Sequence, residues 1–467
     1  MYDRKERKWI FSRKEEKTGA GDKEAKKALR KLRRRKVLWI AGAAVILLAI
    51  LLAFFFLFPP LTEKPSSKKE NSEDSIREET DTLEEFNESI RKLTEEYDDE
   101  LVIAGERSTN RLILHFDGEE LDLTTFLADR VIARENRMVV IQFASEEETR
   151  QCMESLNEME HVSFVEMDEY NISSDTAGSS AGSLSQISSG FSYHTWGCED
   201  MGMDLLADYL STHALQQSAV VAVLDTGVLP VEGIRDRILS GTDVVMGGDG
   251  RNDLVGHGTH VSGTILDCTQ GLDVKILPVG IFGNNPYTST LNICTGLEYA
   301  IGQAPDVINM SLGGPITQED SLKQALIREA ISSGITVVVS AGNGDDAGIP
   351  QDTAGIMPAA MKECIVVGAV DQNHTIASFS NYGDSVDVCA PGVNITSYSI
   401  RPEGLESMDG TSMAAPHISA LAVMLTMYVP DASPAQIEKY IKDYCQNLGD
   451  EQYYGEGIPQ GAFYIEN

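Results

Sequence analysis

The chain has 467 residues, 42% hydrophobic and 24% charged, a balance that supports folded domains and excludes wholesale disorder, a collagen-like repeat and a polytopic membrane protein. Acidic residues number 72 against 38 basic, and a net charge of −34 repels phosphates, so no nucleic acid is expected among the partners. The charge is uneven: residues 1–36 hold 16 Lys/Arg and 6 Asp/Glu, a net of +10, so the remainder carries −44.

Residues 37–58 (VLWIAGAAVILLAILLAFFFLF) contain no charge. At about 1.5 Å per residue, a helix of that length spans the ~30 Å hydrocarbon core of a bilayer. Trp39 falls near one interface, Pro59 and Pro60 end the helix at the other, and Arg30, Lys31, Arg33, Arg34, Arg35 and Lys36 flank its start. The positive-inside rule makes 1–36 a basic cytoplasmic segment and exports everything after Pro60, placing the later domains outside a cell membrane. The apolar run exceeds the ~7–15 residues of a cleaved secretory signal and lacks a small-x-small site, so 37–58 reads as a retained transmembrane signal-anchor helix. Residues 61–100 are acidic and poor in large apolar side chains, a solvated stalk.

From residue 101 the pattern changes. Strand-like runs at 111–116, 138–143 and 161–165 enclose a helix-period stretch over 146–159 that puts Cys152, Leu156 and Met159 on one face. This predicts a small α/β domain over 101–172. Residues 173–192 are rich in Ser and Gly, a flexible and protease-accessible linker. Over 193–467, short β-branched-rich runs at 220–224, 273–279, 307–310, 336–340 and 364–367 alternate with helical stretches. Near-continuous apolar strands that cross over through helices predict a mainly parallel central sheet covered on both faces.

Three segments of this last domain carry chemistry. An apolar strand delivers Asp225 into Asp225-Thr226-Gly227; glycines flank His257 in the run GHGTHVSGT (256–264); and Ser412 opens a small-residue helix in GTSMAAPH (410–417). A serine hydroxyl becomes a useful nucleophile when an imidazole takes its proton, and a buried carboxylate fixes the tautomer of that imidazole. Open α/β sheets gather such groups at the C-terminal ends of their strands. Singly, each segment is weak: a strand-ending Asp-Thr-Gly is often a turn, and a lone serine at a helix start is usually an N-cap.

Together, and in the order Asp, His, Ser, the three segments resemble the subtilisin-like serine proteases, the subtilase or peptidase S8 family, over about residues 195–467. The resemblance implies a serine endopeptidase acting on protein or peptide substrates through an acyl-enzyme, with Asp225 as orienting acid, His257 as base and Ser412 as nucleophile. Asn343, in the stretch Ala341-Gly342-Asn343, is similar to the family's oxyanion-hole donor, with the Ser412 backbone N–H beside it. Ser311, Leu312, Gly313 and Gly314 look like its substrate-binding strand. No cofactor is required for this chemistry and no metal ligands are assigned. His260 reads as a packed histidine, and a zinc ion on His257 and His260 would need further ligands that the neighbouring sequence does not supply. The chain is short between the histidine motif and the strand at 273–279, where many subtilisins carry a calcium loop, which puts a structural calcium in doubt. Gly344 and residues 356–358 suggest an apolar pocket for an uncharged side chain, whereas Asp345 and Asp346 would attract a basic one.

The domain at 101–172 resembles the inhibitory (I9-like) propeptides of the same family. That implies a self-inhibited zymogen whose propeptide is an intramolecular partner and whose tail enters the cleft. Cys198, Cys268, Cys294, Cys364, Cys389 and Cys445 lie in the predicted catalytic domain, where six cysteines permit disulfides, and no cysteine stands in a motif with a histidine. The competing function is a catalytically silent subtilase-like protein that binds or senses.

Overall fold

The computed structural model describes residues 108–116, 131–135, 138–143, 145–157, 162–173, 194–214, 218–316, 321–345, 347–401 and 404–466. The cytoplasmic segment, the signal-anchor, the stalk and almost all of the linker expected from the sequence lie outside these residues. Among the described residues, no helix is long and apolar enough to cross a membrane.

The first part is a small antiparallel sheet with one helix. Strands β1 (Ser108–Phe116), β2 (Val131–Glu135), β3 (Met138–Gln142) and β4 (Val162–Ser173) run in the order β4-β1-β3-β2, with α1 (Glu146–Asn157) between β3 and β4. Strand periodicity sorts the side chains. Leu112, Leu114, Val139, Ile141, Val165 and Met167 form a core with Leu156 of α1, while Ile113, Met138 and Val140 turn to the opposite face and join the core of the larger domain. β2 was not expected: its sequence, VIARE, is short and two of its five residues are charged. β4 runs eight residues beyond the predicted strand end at 165.

The second part is built on a parallel sheet in the order β14-β13-β11-β9-β5-β7-β6. These strands are β5 (Ser218–Asp225), β6 (Thr242–Asp243), β7 (Asp273–Gly280), β9 (Val307–Met310), β11 (Thr336–Ser340), β13 (Ile365–Val370) and β14 (Val388–Pro391). All of these pairings are parallel. The sheet divides two cores. Val221 and Val223 face one that includes Val261 and Ile265 of α4 (His257–Cys268) and most of α7 (Thr411–Tyr428); Ala222 and Leu224 face the other, with Leu297 of α5 (Thr290–Gln303) and Ile327 of α6 (Leu322–Ser332). Burial on both faces explains why these strands read as continuous apolar runs.

Chain order places the site. From β5 the chain first builds β6 and β7 on one side of it, then crosses to β9 on the other. The loops leaving β5 and β9 therefore diverge, and a crevice opens at their C-terminal ends. Next to it, β10 (Leu312–Pro315) pairs antiparallel with β12 (Ile356–Met357) on one side and with the end of β4 on the other, Leu312 opposite Ser173 and Gly313 opposite Ile172. β4 also pairs with β8 (Tyr287–Ser289). The last residues of the small domain thus lie as an added strand between two edges of the large one.

Candidate active site

Asp225 is the last residue of β5, fully buried, and His257 is the first residue of α4. His257 Nδ1 lies 2.6 Å from Asp225 Oδ1, which also accepts the Thr226 backbone N–H at 2.7 Å. Two glycines make the approach fit. A Cβ on Gly258 would come within 2.1 Å of the Gly227 carbonyl oxygen and 3.1 Å of the Asp225 side chain, and Gly227 holds φ +95 with no room for a side chain against the Asn252 carbonyl. The start of α4 is held by Asp253, which the sequence did not single out. Its buried carboxylate accepts the N–H groups of Val255, Gly256 and Thr259 and the hydroxyls of Thr226 and Thr259. Burial pushes the Asp253 carboxyl up. An Asp four residues before the histidine was the only available signal, and it is ordinary for a loop.

Ser412 is the second residue of α7, where backbone N–H groups lack helical partners and the helix dipole favours negative charge. α7 packs on α4 and on β9, β11 and β13. Pro416, inside α7, has no N–H to bond the Ser412 carbonyl four residues back. That carbonyl instead accepts the Ser311 hydroxyl at 3.1 Å, and Ser412 Oγ lies 3.4 Å from the Ser311 carbonyl oxygen. Asn309 Nδ2 donates to Ser311 Oγ at 3.1 Å, and the Ser419 hydroxyl of α7 donates to Asn309 Oδ1 at 2.8 Å. The serine turn and the edge strand β10 are thereby joined.

Asn343 follows β11 in a Gly-rich loop. Its Oδ1 accepts both the backbone N–H of Thr411 at 2.9 Å and the Thr411 hydroxyl at 2.8 Å, while Thr411 Oγ accepts the Gly342 N–H at 3.0 Å. Fixing the amide by its oxygen turns its NH₂ group away from Thr411. Gly313 and Gly314 lie in β10, with Gly314 opposite Met357. His260, one turn into α4, points its Nε2 at the carbonyls of Ile395 and Glu406, as a packed histidine would. Asp345 is tied into its own loop, accepting the N–H groups of Ala347 and Ile349.

Asp225 and His257 are therefore paired directly, and Ser311, Asn343 and Ser412 are joined through α7 and the loop after β11. The six cysteines of the catalytic domain, Cys198, Cys268, Cys294, Cys364, Cys389 and Cys445, are free thiols. Away from the triad residues, Cys198 Sγ lies 3.4 Å from His194 Nδ1, four residues earlier in sequence.

Residues 216–457 match the subtilase family, peptidase S8. Subtilisin DY of Bacillus licheniformis is 38% identical over 246 residues, 51% of this chain and 87% of that protein. Subtilisin Savinase of Lederbergia lenta is 36% identical over 245 residues, 51% of this chain and 87% of that protein. A solved protease from Pseudoalteromonas arctica PAMC 21717 superposes with a TM-score of 0.50 at 27% identity, covering 56% of this chain and 92% of that one. With its strand-ending aspartate, its helix-leading histidine and serine and this similarity in hand, the chain belongs to the subtilase family and is a serine endopeptidase.

Proposed function

We propose that Asp225, His257 and Ser412 form the catalytic triad of a membrane-anchored, exported endopeptidase made as a self-inhibited zymogen. The observation that carries the site assignment is the 2.6 Å pairing of His257 Nδ1 with buried Asp225. It leaves Nε2 as the basic end of the ring. His257 takes the proton of Ser412 Oγ as that oxygen attacks the substrate carbonyl, then returns it to the leaving amine. Negative charge on the former carbonyl oxygen is met by the Asn343 NH₂ group and the Ser412 backbone N–H. The acyl-enzyme is released by water activated on the same imidazole. Each step moves a proton between side chains and substrate, so the chemistry calls for no cofactor. Ser311, Leu312, Gly313 and Gly314 supply an edge against which substrate backbone adds as a strand.

Support for the zymogen comes from β4. Its last residues occupy the edge of β10 in antiparallel register, where a substrate strand would lie. The small domain is then an intramolecular inhibitor, and cutting within the linker at 173–192 releases it. The anchor rests on the uncharged run at 37–58 and its basic flank.

The test is kinetic. Ser412→Ala and His257→Ala, each purified after processing by an added protease, lose nearly all peptide hydrolysis, and the double variant is hardly worse, because the two side chains act as a unit. Substantial turnover by clean Ser412→Ala protein would reject the assignment.

A further inference from the structure

A second cluster lies at the other end of α4. His194 is the first residue described after the Ser/Gly-rich segment, and it precedes α2 (Trp196–Asp200), which carries Cys198. Asp267 and Cys268 are the last two residues of α4. His194 Nδ1 lies 3.4 Å from Cys198 Sγ and 3.3 Å from Asp267 Oδ1, and these three donor atoms lie within 4.8 Å of one another. Cys198 is fully buried.

We propose that His194, Cys198 and Asp267 bind a zinc ion, with water in the fourth position. Zinc takes thiolate, imidazole and carboxylate donors at about 2.0–2.3 Å in a tetrahedron, which sets neighbouring donors roughly 3.3–3.8 Å apart. The two distances above already match those edges. Surrounding groups orient the donors as metal sites require. Asp267 Oδ2 accepts the Thr195 N–H at 2.9 Å and its hydroxyl at 2.7 Å; Asp267 Oδ1 accepts Gln270 Nε2 at 2.9 Å. The buried Asp204 Oδ1 finds no hydrogen-bond partner among the described residues. The His194 side chain is 25% exposed, an entry path to an otherwise closed site. On binding, the Cys198 thiol loses its proton to solvent and coordinates as a thiolate.

The ion would staple the beginning of the catalytic domain to the end of α4, whose first residue is His257. It takes no part in the reaction and stands independently of the triad assignment.

The experiment uses full-length Ser412→Ala protein in detergent with a phosphine reductant. Titration with Co²⁺ gives one equivalent bound, with thiolate-to-cobalt charge-transfer absorption in the near ultraviolet, and Zn²⁺ displaces it. Cys198→Ser weakens binding more than about a hundredfold, beyond the loss of an outer partner, while Cys364→Ser does not. The unsubstituted protein's spectrum decides the matter even where a variant fails to fold. Absence of the charge-transfer band, or its survival unchanged in Cys198→Ser, would overturn the site. So would a Cys198–Cys268 disulfide found by peptide mass spectrometry in protein isolated without reductant.

Discussion

Asn343 is held by its oxygen, which leaves its nitrogen for the role proposed for it. Two donors from Thr411 saturate Oδ1, so the amide's orientation is fixed before charge develops. A donor of this kind acts on the transition state rather than on the bound substrate. Asn343→Leu is expected to lower kcat by about 10²–10³, the scale known for losing one such donor in a subtilisin, with KM nearly unchanged. Steady-state kinetics check it, and an effect confined to KM would assign Asn343 to substrate binding instead. Asp225→Asn is expected to lower kcat by about 10⁴ as the imidazole tautomer is lost, read by the same kinetics. Asp225, His257, Ser412 and Asn343 were legible because each sits in a run of small residues whose backbone must pass close to something. Asp253 was not: five hydrogen bonds make it the anchor of α4, yet its sequence neighbours look like any loop. The Ser311 hydroxyl was equally hidden, since its bond to the Ser412 carbonyl exists only because Pro416, more than a hundred residues away, leaves that carbonyl without its helical donor.

At the scale of elements, β4 has two faces with different duties. Val165 and Met167 fill the core of the small domain, whereas Glu166 and Asp168 face the large one. Glu166 Oε2 accepts the Leu322 N–H at 2.8 Å at the start of α6, and Asp168 Oδ1 accepts the Leu291 N–H at 2.9 Å at the start of α5. Two carboxylates two residues apart thus meet two helix dipoles. Asp168 additionally pairs with buried Arg111 at 2.8 Å. Asp168→Ala leaves that guanidinium buried without its anion and is expected to cost about 3 kcal/mol or more. Glu166→Gln keeps an acceptor and loses only charge, about 1 kcal/mol. Urea denaturation of the full-length Ser412→Ala protein ranks them, and equal small effects would show that β4 is held by its backbone pairing alone. The parallel strands were visible in the sequence because burial on both faces leaves an unbroken apolar signature. The second half of β4, MDEYNIS, was not, because its burial comes from another domain: buried Asn171 accepts from Lys323 Nζ at 2.9 Å, a contact separated by 152 residues.

Across the whole molecule, the reading as an anchored zymogen makes one cut do two things. The proposed anchor at 37–58 and the catalytic domain are connected only through the stalk, the small domain and the linker. A cut within 173–192 frees the end of β4 from its covalent tie to the enzyme, so its pairing with β10 changes from intramolecular to bimolecular and loses the high effective concentration that the linker gave it. The same cut severs the enzyme from the membrane. With no further long apolar run and a strongly acidic surface, the released domain should partition into the aqueous phase once the small domain dissociates. If the cut is self-inflicted, Ser412→Ala accumulates as a full-length, membrane-bound chain, while the active protein yields a shorter soluble species whose new N-terminus lies in 173–192. Fractionating expressing cells and sequencing that terminus tests both halves. Processing of Ser412→Ala in the same window would assign the cut to another protease, and an active chain that remains intact would remove the zymogen reading, because β4 would then have to leave β10 during every turnover.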